Sequence, residues 1–130
     1  MKPDRIVIEI SSENLRKIIG LLKEKLGDEG FYLNTIVGTD YPSDKLFQID
    51  YYITLIPDEQ TIVLRVKIPR EEPVIDSILD LVPGALPGEC EAHDLLGIVF
   101  RGNKYLKRGF FVPIEVAEKG IYPLRKDSGV

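Results

Sequence analysis

The residues with most chemical capacity fall in one short stretch, Gly88-Glu89-Cys90-Glu91-Ala92-His93-Asp94-Leu95-Leu96-Gly97-Ile98. It holds the chain's one cysteine, its one histidine and three carboxylates. On a helix, Cys90 and His93 stand at i and i+3 on adjoining parts of one surface, a spacing that suits a nucleophilic dyad or half of a metal site. A structural zinc takes four ligands, however, and no second Cys or His exists to complete the set. One thiol can neither hold a self-contained four-thiolate iron–sulfur cluster nor close an internal disulfide, which fits a reducing compartment. A packed thiol beside a surface or interface histidine is therefore preferred to thiol catalysis. Glu89 and Glu91 belong to the first helical turn, where the dipole stabilises each by about 0.3–1 kcal/mol. Ala92, Leu95, Leu96 and Val99 form an apolar stripe. Asp94 is expected to face away from that stripe, toward an arginine such as Arg125 or a partner's cation. A lone carboxylate without a defined pocket is a weak proton-transfer candidate.

A second cluster is basic. Arg101, Lys104, Lys107, Arg108, Arg125 and Lys126 are interleaved with Tyr105, Phe110, Phe111 and Tyr122. Residues 1–100 carry 10 basic and 18 acidic side chains, net −8, whereas 101–130 carry 7 and 3, net +4. The basic end suits an acidic partner surface, with a planar bidentate donor at Arg125 beside a point charge at Lys126; a solvated charge bias is an equal alternative. Aromatic and basic residues together also suit nucleic acid. Against that stand a net charge of −4 for the whole chain, the lack of an RNA-binding signature, and a predicted strand through Phe110 and Phe111 that buries at least one ring. Gly102 and Gly109 build no phosphate loop, because neither belongs to a Walker or Gly-x-Gly-x-x-Gly pattern leading from strand to helix.

Both clusters need a scaffold. With 130 residues, 44% of them hydrophobic and 29% charged, the chain has the composition of one globular domain, 1–130. Arg5 to Ile10 is a short β-branched strand, and Ser11 and Ser12 offer N-cap oxygens to a helix. Leu15, Ile18, Ile19, Leu22 and Leu26 recur at helical spacing before Gly27 stops it. A strand covers Phe31 to Thr39, and Asp40-Tyr41-Pro42-Ser43-Asp44 makes a loop. Phe47, Ile49, Tyr51, Ile53 and Leu55 then alternate with polar residues at period two, as do Ile62, Leu64, Val66 and Ile68, so an antiparallel hairpin turns at Pro57-Asp58-Glu59-Gln60. Pro73 is predicted to open a helix through Val74, Ile75, Ile78, Leu79 and Val82, stopped by Pro83-Gly84. A helix from about Glu89 to Leu96, strands near Ile98–Phe100 and Gly109–Val112, and an irregular tail from about 113 complete the chain. The mixture predicts an α+β fold of two layers, a mostly antiparallel or mixed sheet with helices on one face.

Several motifs also carry a resemblance. Glu89-Cys90-Glu91-Ala92-His93-Asp94-Leu95-Leu96-Gly97 resembles the Glu-Arg-Glu-x-x-Asp, two apolar residues and Gly of the thirty-kilodalton subunit family of respiratory NADH:quinone oxidoreductase and related membrane-bound energy-converting hydrogenases, with Cys90 in place of the arginine. Thr39-Asp40-Tyr41-Pro42 is similar to the family's Asp-Tyr-Pro turn, and Pro73-Val74-Ile75 sits where its second helix begins. Gly102-Asn103-Lys104-Tyr105-Leu106-Lys107-Arg108 looks like its Gly-His-Pro-x-Leu-Arg-Arg, with Asn103 for histidine and Lys104 for proline. Pro123-Leu124-Arg125-Lys126-Asp127 matches its closing motif. The likeness spans roughly Asp40 to Asp127, with the motifs in order.

The resemblance implies a non-catalytic subunit without a cofactor or metal of its own. It would pack as a wedge on a large catalytic subunit beside an iron–sulfur subunit, where the partners carry iron–sulfur or nickel–iron centres. Glu89, Glu91, Asp94, Lys107, Arg108, Arg125, Lys126 and Asp127 are then candidates for the partner interface. No apolar run approaches the roughly 20 residues that cross a bilayer, and Met1-Lys2-Pro3-Asp4-Arg5 lacks a signal-peptide core, so a cytoplasmic location with membrane contact only through partners is expected. The rival classes are a free-standing protein- or RNA-binding module and, more weakly, a cysteine-dependent enzyme.

Overall fold

The computed structural model describes residues 5–56, 59–106, 119–120 and 122–125. Its centre is the hairpin that the period-two pattern calls for. β3 (Leu46–Leu55) and β4 (Gln60–Pro69) pair antiparallel, with Ile49 opposite Val66, Tyr51 opposite Leu64 and Ile53 opposite Ile62. Both apolar sets thus point to one face, as the alternation of side chains along a strand requires. β2 (Phe31–Tyr41) pairs antiparallel with β3, and β1 (Ile6–Ile10) pairs parallel with the far side of β4. The order β1-β4-β3-β2 makes a mixed four-stranded sheet.

The helical layer covers one face. α1 (Ser12–Leu26) buries Leu15 and Ile19, its stripe at helical spacing, and ends at Gly27, whose φ of +75° suits glycine and whose N–H reaches the Lys23 carbonyl. Ser11 stands at the N-cap without a side-chain bond. α2 (Leu86–Leu96) lies over β2, so closely that a Cβ at Gly88 would stand 2.9 Å from Ile36. Side chains from both helices and from both strands of the central hairpin share a continuous core that includes Leu15, Ile19, Phe47, Tyr51, Leu64, Ala92 and Leu96. The expected α+β two-layer fold is the one observed.

Three local expectations are corrected. The loop at Asp40–Asp44 begins later, because the strand continues through Tyr41, and Pro42–Asp44 forms a single 3₁₀ turn closed by Lys45 at φ +56°. More substantially, the segment after Pro73 is no helix. Val74–Asp76 is a strand, β5, paired parallel with β6 (Val99–Arg101) in a separate two-stranded sheet. The Pro73 carbonyl accepts the Val99 N–H at 2.8 Å, and the Ser77 hydroxyl accepts the Leu79 N–H at 3.0 Å. Such side-chain bonds to nearby backbone compete with the helical ladder, and β-branched Val74 and Ile75 favour the strand. Helical geometry resumes in a 3₁₀ turn at Pro83–Ala85, so α2 starts at Leu86, ahead of the predicted Glu89. The predicted strand at Gly109–Val112 and most of the tail from about 113 lie outside the described residues.

Candidate docking site

The motif segments, far apart in the chain, meet around α2. Glu89 is fully buried, and its carboxylate ties three segments together. Oε1 accepts the Ser77 hydroxyl at 2.6 Å and the Asn103 amide at 2.9 Å, while Oε2 accepts the Ile78 N–H at 2.9 Å. Asn103 in turn accepts the Tyr105 N–H at 2.8 Å through its own amide oxygen. A buried carboxylate is tolerable when neutral donors converge on it, and here they come from the β5–α2 connection and from the turn after β6. The Tyr51 hydroxyl, buried in the same core, has no hydrogen-bond partner among the described residues. Burial, and secondarily the Glu89 charge, push its pKa well above the ordinary tyrosine value.

At the other end of α2, Gly97 adopts φ +83° and its N–H caps the His93 carbonyl. A Cβ there would stand 3.0 Å from Arg125 Nη2 and 3.2 Å from the Tyr122 ring, so glycine both relieves the left-handed backbone and admits the C-terminal segment. That segment is pinned to the helix end. The Leu124 N–H donates to the Leu95 carbonyl at 2.9 Å, and Arg125 Nε donates to the Leu96 carbonyl at 2.7 Å, a cation on orphan carbonyls at the negative end of the dipole. The Arg125 guanidinium also lies 5.0 Å from the Tyr122 ring centroid and 5.2 Å from that of Phe47. On the same Phe47 ring lies Arg70, at 5.5 Å, and Arg70 pairs bidentately with buried Asp40 at 2.6 and 3.0 Å. Asp40-Tyr41-Pro42, the α2 segment and Pro123-Leu124-Arg125 are therefore parts of one cluster centred on a buried phenylalanine.

The α2 side chains do not sort as a one-sided stripe predicts. Asp94 is fully buried rather than facing away from the core, Leu95 is half-buried and Val99 is exposed. The helix is packed on several sides: β2 against one, the turn after β6 against another, and the C-terminal segment at its end. Glu89 shares this interior placement, whereas Glu91 is exposed and lines a cleft of about 210 Å³ with Asn34, Thr35, Gly84 and Pro87. Arg125 is half-buried and engaged within the chain. Lys107, Arg108, Lys126 and Asp127 lie outside the described residues.

Cys90 and His93 do not form a dyad. Cys90 is buried against the Tyr105 carbonyl, with Sγ 3.9 Å from the oxygen, and burial, reinforced by Glu89 and Asp94, raises its thiol pKa. This is a protonated packing thiol, the reverse of an activated nucleophile. His93 Nδ1 lies 2.9 Å from the Ile98 carbonyl, so that nitrogen carries the proton and helps fold β6 back under α2. Among the described residues no group of three or more His, Cys, Asp or Glu is placed to hold a metal ion.

A further polar cluster lies between α1, β5 and β6. Arg16 bonds Asp80 bidentately at 2.7 and 2.9 Å and the Ser77 carbonyl at 2.7 Å, while Arg101 Nε bonds Asp76 at 2.6 Å. Hydrogen bonds from these arginines hold both carboxyls below the ordinary aspartate pKa. Ser77, Asn103, Asp40, Arg70 and Phe47 are members of the site that sequence reasoning does not single out. For Asp40 and Asn103 the signal is present in the motifs that contain them; for Ser77, Arg70 and Phe47 there is none.

Fold and cluster together define a small α+β domain in which residues 122–125 are pinned to the end of a helix by the Leu124 N–H and the Arg125 guanidinium. The family described as "Respiratory-chain NADH dehydrogenase, 30 Kd subunit" matches residues 8–130, and the chain belongs to it. It is 32% identical over 118 residues to the C subunit of NADH-quinone oxidoreductase from Moorella thermoacetica, covering 91% of this chain and 76% of that protein. It is 28% identical over 125 residues to the C subunit of F(420)H(2) dehydrogenase from Methanosarcina mazei, covering 96% and 76%. The corresponding NADH-quinone oxidoreductase protein of Ruegeria pomeroyi is 33% identical over 121 residues, 92% of this chain but only 58% of its own length. Several curated relatives are thus longer than the region they share with this chain. Among solved structures, a trypsin-resistant fragment of Nqo5 superimposes with a TM-score of 0.69 at 27% identity, covering 78% of this chain and 83% of that one. A chain of the membrane-bound sulfane sulfur reductase, an archaeal respiratory membrane complex, shares the fold with a TM-score of 0.83 over 97% of this chain and 72% of that one, at 22% identity.

Proposed function

We propose that this chain is a non-catalytic accessory subunit of a membrane-associated electron-transfer oxidoreductase complex, packing on the large catalytic subunit next to an iron–sulfur subunit. The observation that carries this reading is the family match over residues 8–130, reinforced by the convergence of the shared motifs on one structural cluster. On this reading the cluster is structural. Three donors converge on the Glu89 carboxylate, the thiol is protonated, and the arginines are engaged on carbonyls, rings and carboxylates. Such a site can hold residues 122–125 in one place on the end of α2, and the basic residue Lys126 follows directly in the chain.

On this reading the chain supplies no cofactor, and the redox centres, iron–sulfur or nickel–iron, belong to the partners. No helix among the described residues is long and apolar enough to cross a membrane, and attachment to the inner face of the cell membrane runs through the complex. The docking charges are Glu91 and, in the basic end, Lys107, Arg108, Lys126 and Asp127. Glu89, Asp94 and Arg125 serve the interface indirectly, by shaping the segment that carries it.

The test is affinity capture of the tagged chain from its own cells. Co-elution with a large subunit, together with absorbance from iron–sulfur centres, is expected, and the isolated chain should be colourless. Lys126→Glu with Lys107→Glu should weaken capture in low salt while leaving the circular dichroism spectrum unchanged, because rim charges act mainly on association. Capture unaffected by salt or by these changes would remove the basic end from the interface. A stoichiometric flavin or metal in the isolated chain would overturn the cofactor-free role.

A further inference from the structure

β1 is a sheet edge with little protection. It has one neighbour, β4, and the other side of its backbone is unpaired among the described residues. Its side chains are apolar on both faces of the sheet and poorly covered: Ile6 is 48% exposed, Val7 49% and Ile8 41%. Edge strands of soluble proteins ordinarily carry charges, proline or a bulge that discourages pairing, and Ile6–Ile10 has no lysine, proline or bulge and a single charge, Glu9.

The charges at its two ends say which occupant fits. Register with β4 places Ile6, Ile8 and Ile10 on the core face beside Ile62, Leu64 and Val66, and Val7 and Glu9 on the opposite face beside Val63 and Arg65. Arg5 and Glu9 share that second face: the Arg5 guanidinium lies 5.5 Å from the Tyr52 ring centroid, and Glu9 lies 3.2 Å from Lys67 Nζ. A second copy of the strand laid antiparallel about a two-fold axis at Val7 sets Arg5 opposite Glu9, Ile6 opposite Ile8 and Val7 opposite itself. Shifting the register by two residues either way loses both charge pairs. Opposite charges and β-branched pairs directly across an antiparallel pair are each stabilising, and a two-fold axis makes every contact off the axis twice.

We propose that the free chain self-associates through β1, with a second copy extending the sheet antiparallel across the two-fold axis at Val7. Five residues a side bury less than the roughly 1,200–2,000 Å² of a standard interface, so the dimer forms at high concentration and dissociates on dilution.

Sedimentation velocity of the full chain over a dilution series tests this. A concentration-dependent monomer–dimer equilibrium is expected. Arg5→Glu alone and Glu9→Arg alone should each be monomeric, because each sets like charges opposite one another twice. Mixing these two variants should restore association as a heterodimer, since every glutamate then meets an arginine. Val7→Cys provides an independent readout. Its two copies face each other at the roughly 4.5–5.5 Å Cα separation of an antiparallel pair, within disulfide range, so mild oxidation should cross-link it at least tenfold faster than Tyr32→Cys on the opposite edge. A chain that stays monomeric at the highest soluble concentration overturns the proposal. So does a dimer in which the mixed variants fail to associate and Val7→Cys cross-links no faster than Tyr32→Cys. If the chain is monomeric alone but Val7→Lys abolishes capture of the large subunit, the edge takes a strand from a partner instead.

Discussion

The β3–β4 hairpin and the corner where α2 meets β5 and the turn after β6 are both buried, yet they are held by different physics. In the hairpin, Phe47, Ile49, Ile53, Leu64 and Val66 lose their apolar surface to one another while the backbone ladder satisfies itself. Stability there scales with area and volume. In the corner, stability depends on the completeness of a few hydrogen bonds: Glu89 is surrounded by Ser77, Ile78 and Asn103, and each of those groups is buried with few alternatives. An apolar core tolerates a change of shape in proportion to its size, whereas a buried polar knot fails when a single lone pair is replaced by a proton.

The largest expected effect is the contrast between two isosteric changes. Ile49→Leu in the hairpin should cost less than about 1.5 kcal/mol, because volume is conserved. Glu89→Gln conserves volume equally well but replaces an acceptor with an N–H₂ aimed at other donors, and should cost about 2–4 kcal/mol. Urea denaturation of the two variants measures both. Equal losses would show that the corner is an ordinary piece of core, and that the comparison between the regions is empty.

A smaller effect is expected where α2 receives the C-terminal segment. Gly97→Ala forces an L-residue to hold φ +83° and crowds Tyr122 and Arg125, at a cost of about 1–2 kcal/mol. The Leu124 amide, hydrogen-bonded to Leu95, should then exchange with deuterium faster than in the wild type, while amides of β3 and β4 keep their protection relative to the new global stability. A uniform rise in exchange would mean that the segment unfolds only with the whole domain, rather than as a strap on the helix end.

The same division explains what can be read in the sequence. The hairpin is legible because every apolar residue of β3 and β4 reports its own facing through period two, and α1 through its 3.6 period. The motifs of the corner are visible as residues, but their burial is not. Glu89 is interior only because Ser77 and Asn103, 12 and 14 residues away, bring donors to it. The expectation that Asp94 faces away from the apolar stripe rests on a helix packing on one face, which α2 does not obey: Asp94 is buried as well. The Pro73 segment shows the same limit from the other side: its apolar spacing fits a helix, but pairing with the distant β6 decides for a strand. Local pattern predicts elements whose partners are sheet neighbours of the same rhythm, and misjudges elements whose partners are single polar atoms far along the chain.

Tyr51 belongs to both regions, and it gives the smallest effect and the opposite sign. Its ring fills the hairpin core opposite Leu64, while its hydroxyl is buried without a hydrogen-bond partner among the described residues, in the field of the Glu89 carboxylate. An unpaired buried hydroxyl costs its desolvation with nothing in return, so removing it relieves that cost without opening a cavity larger than one oxygen atom. Tyr51→Phe should therefore be neutral or stabilising by up to about 1 kcal/mol, visible as a midpoint raised or unchanged in urea with the same slope. If the hydroxyl instead reaches the Glu89 knot when the protein breathes, the substitution destabilises by about 1 kcal/mol or more, and the combination with Glu89→Gln is markedly non-additive. In that case the polar corner extends into the hairpin, and the boundary between the two regions has to be drawn through Tyr51 rather than beside it.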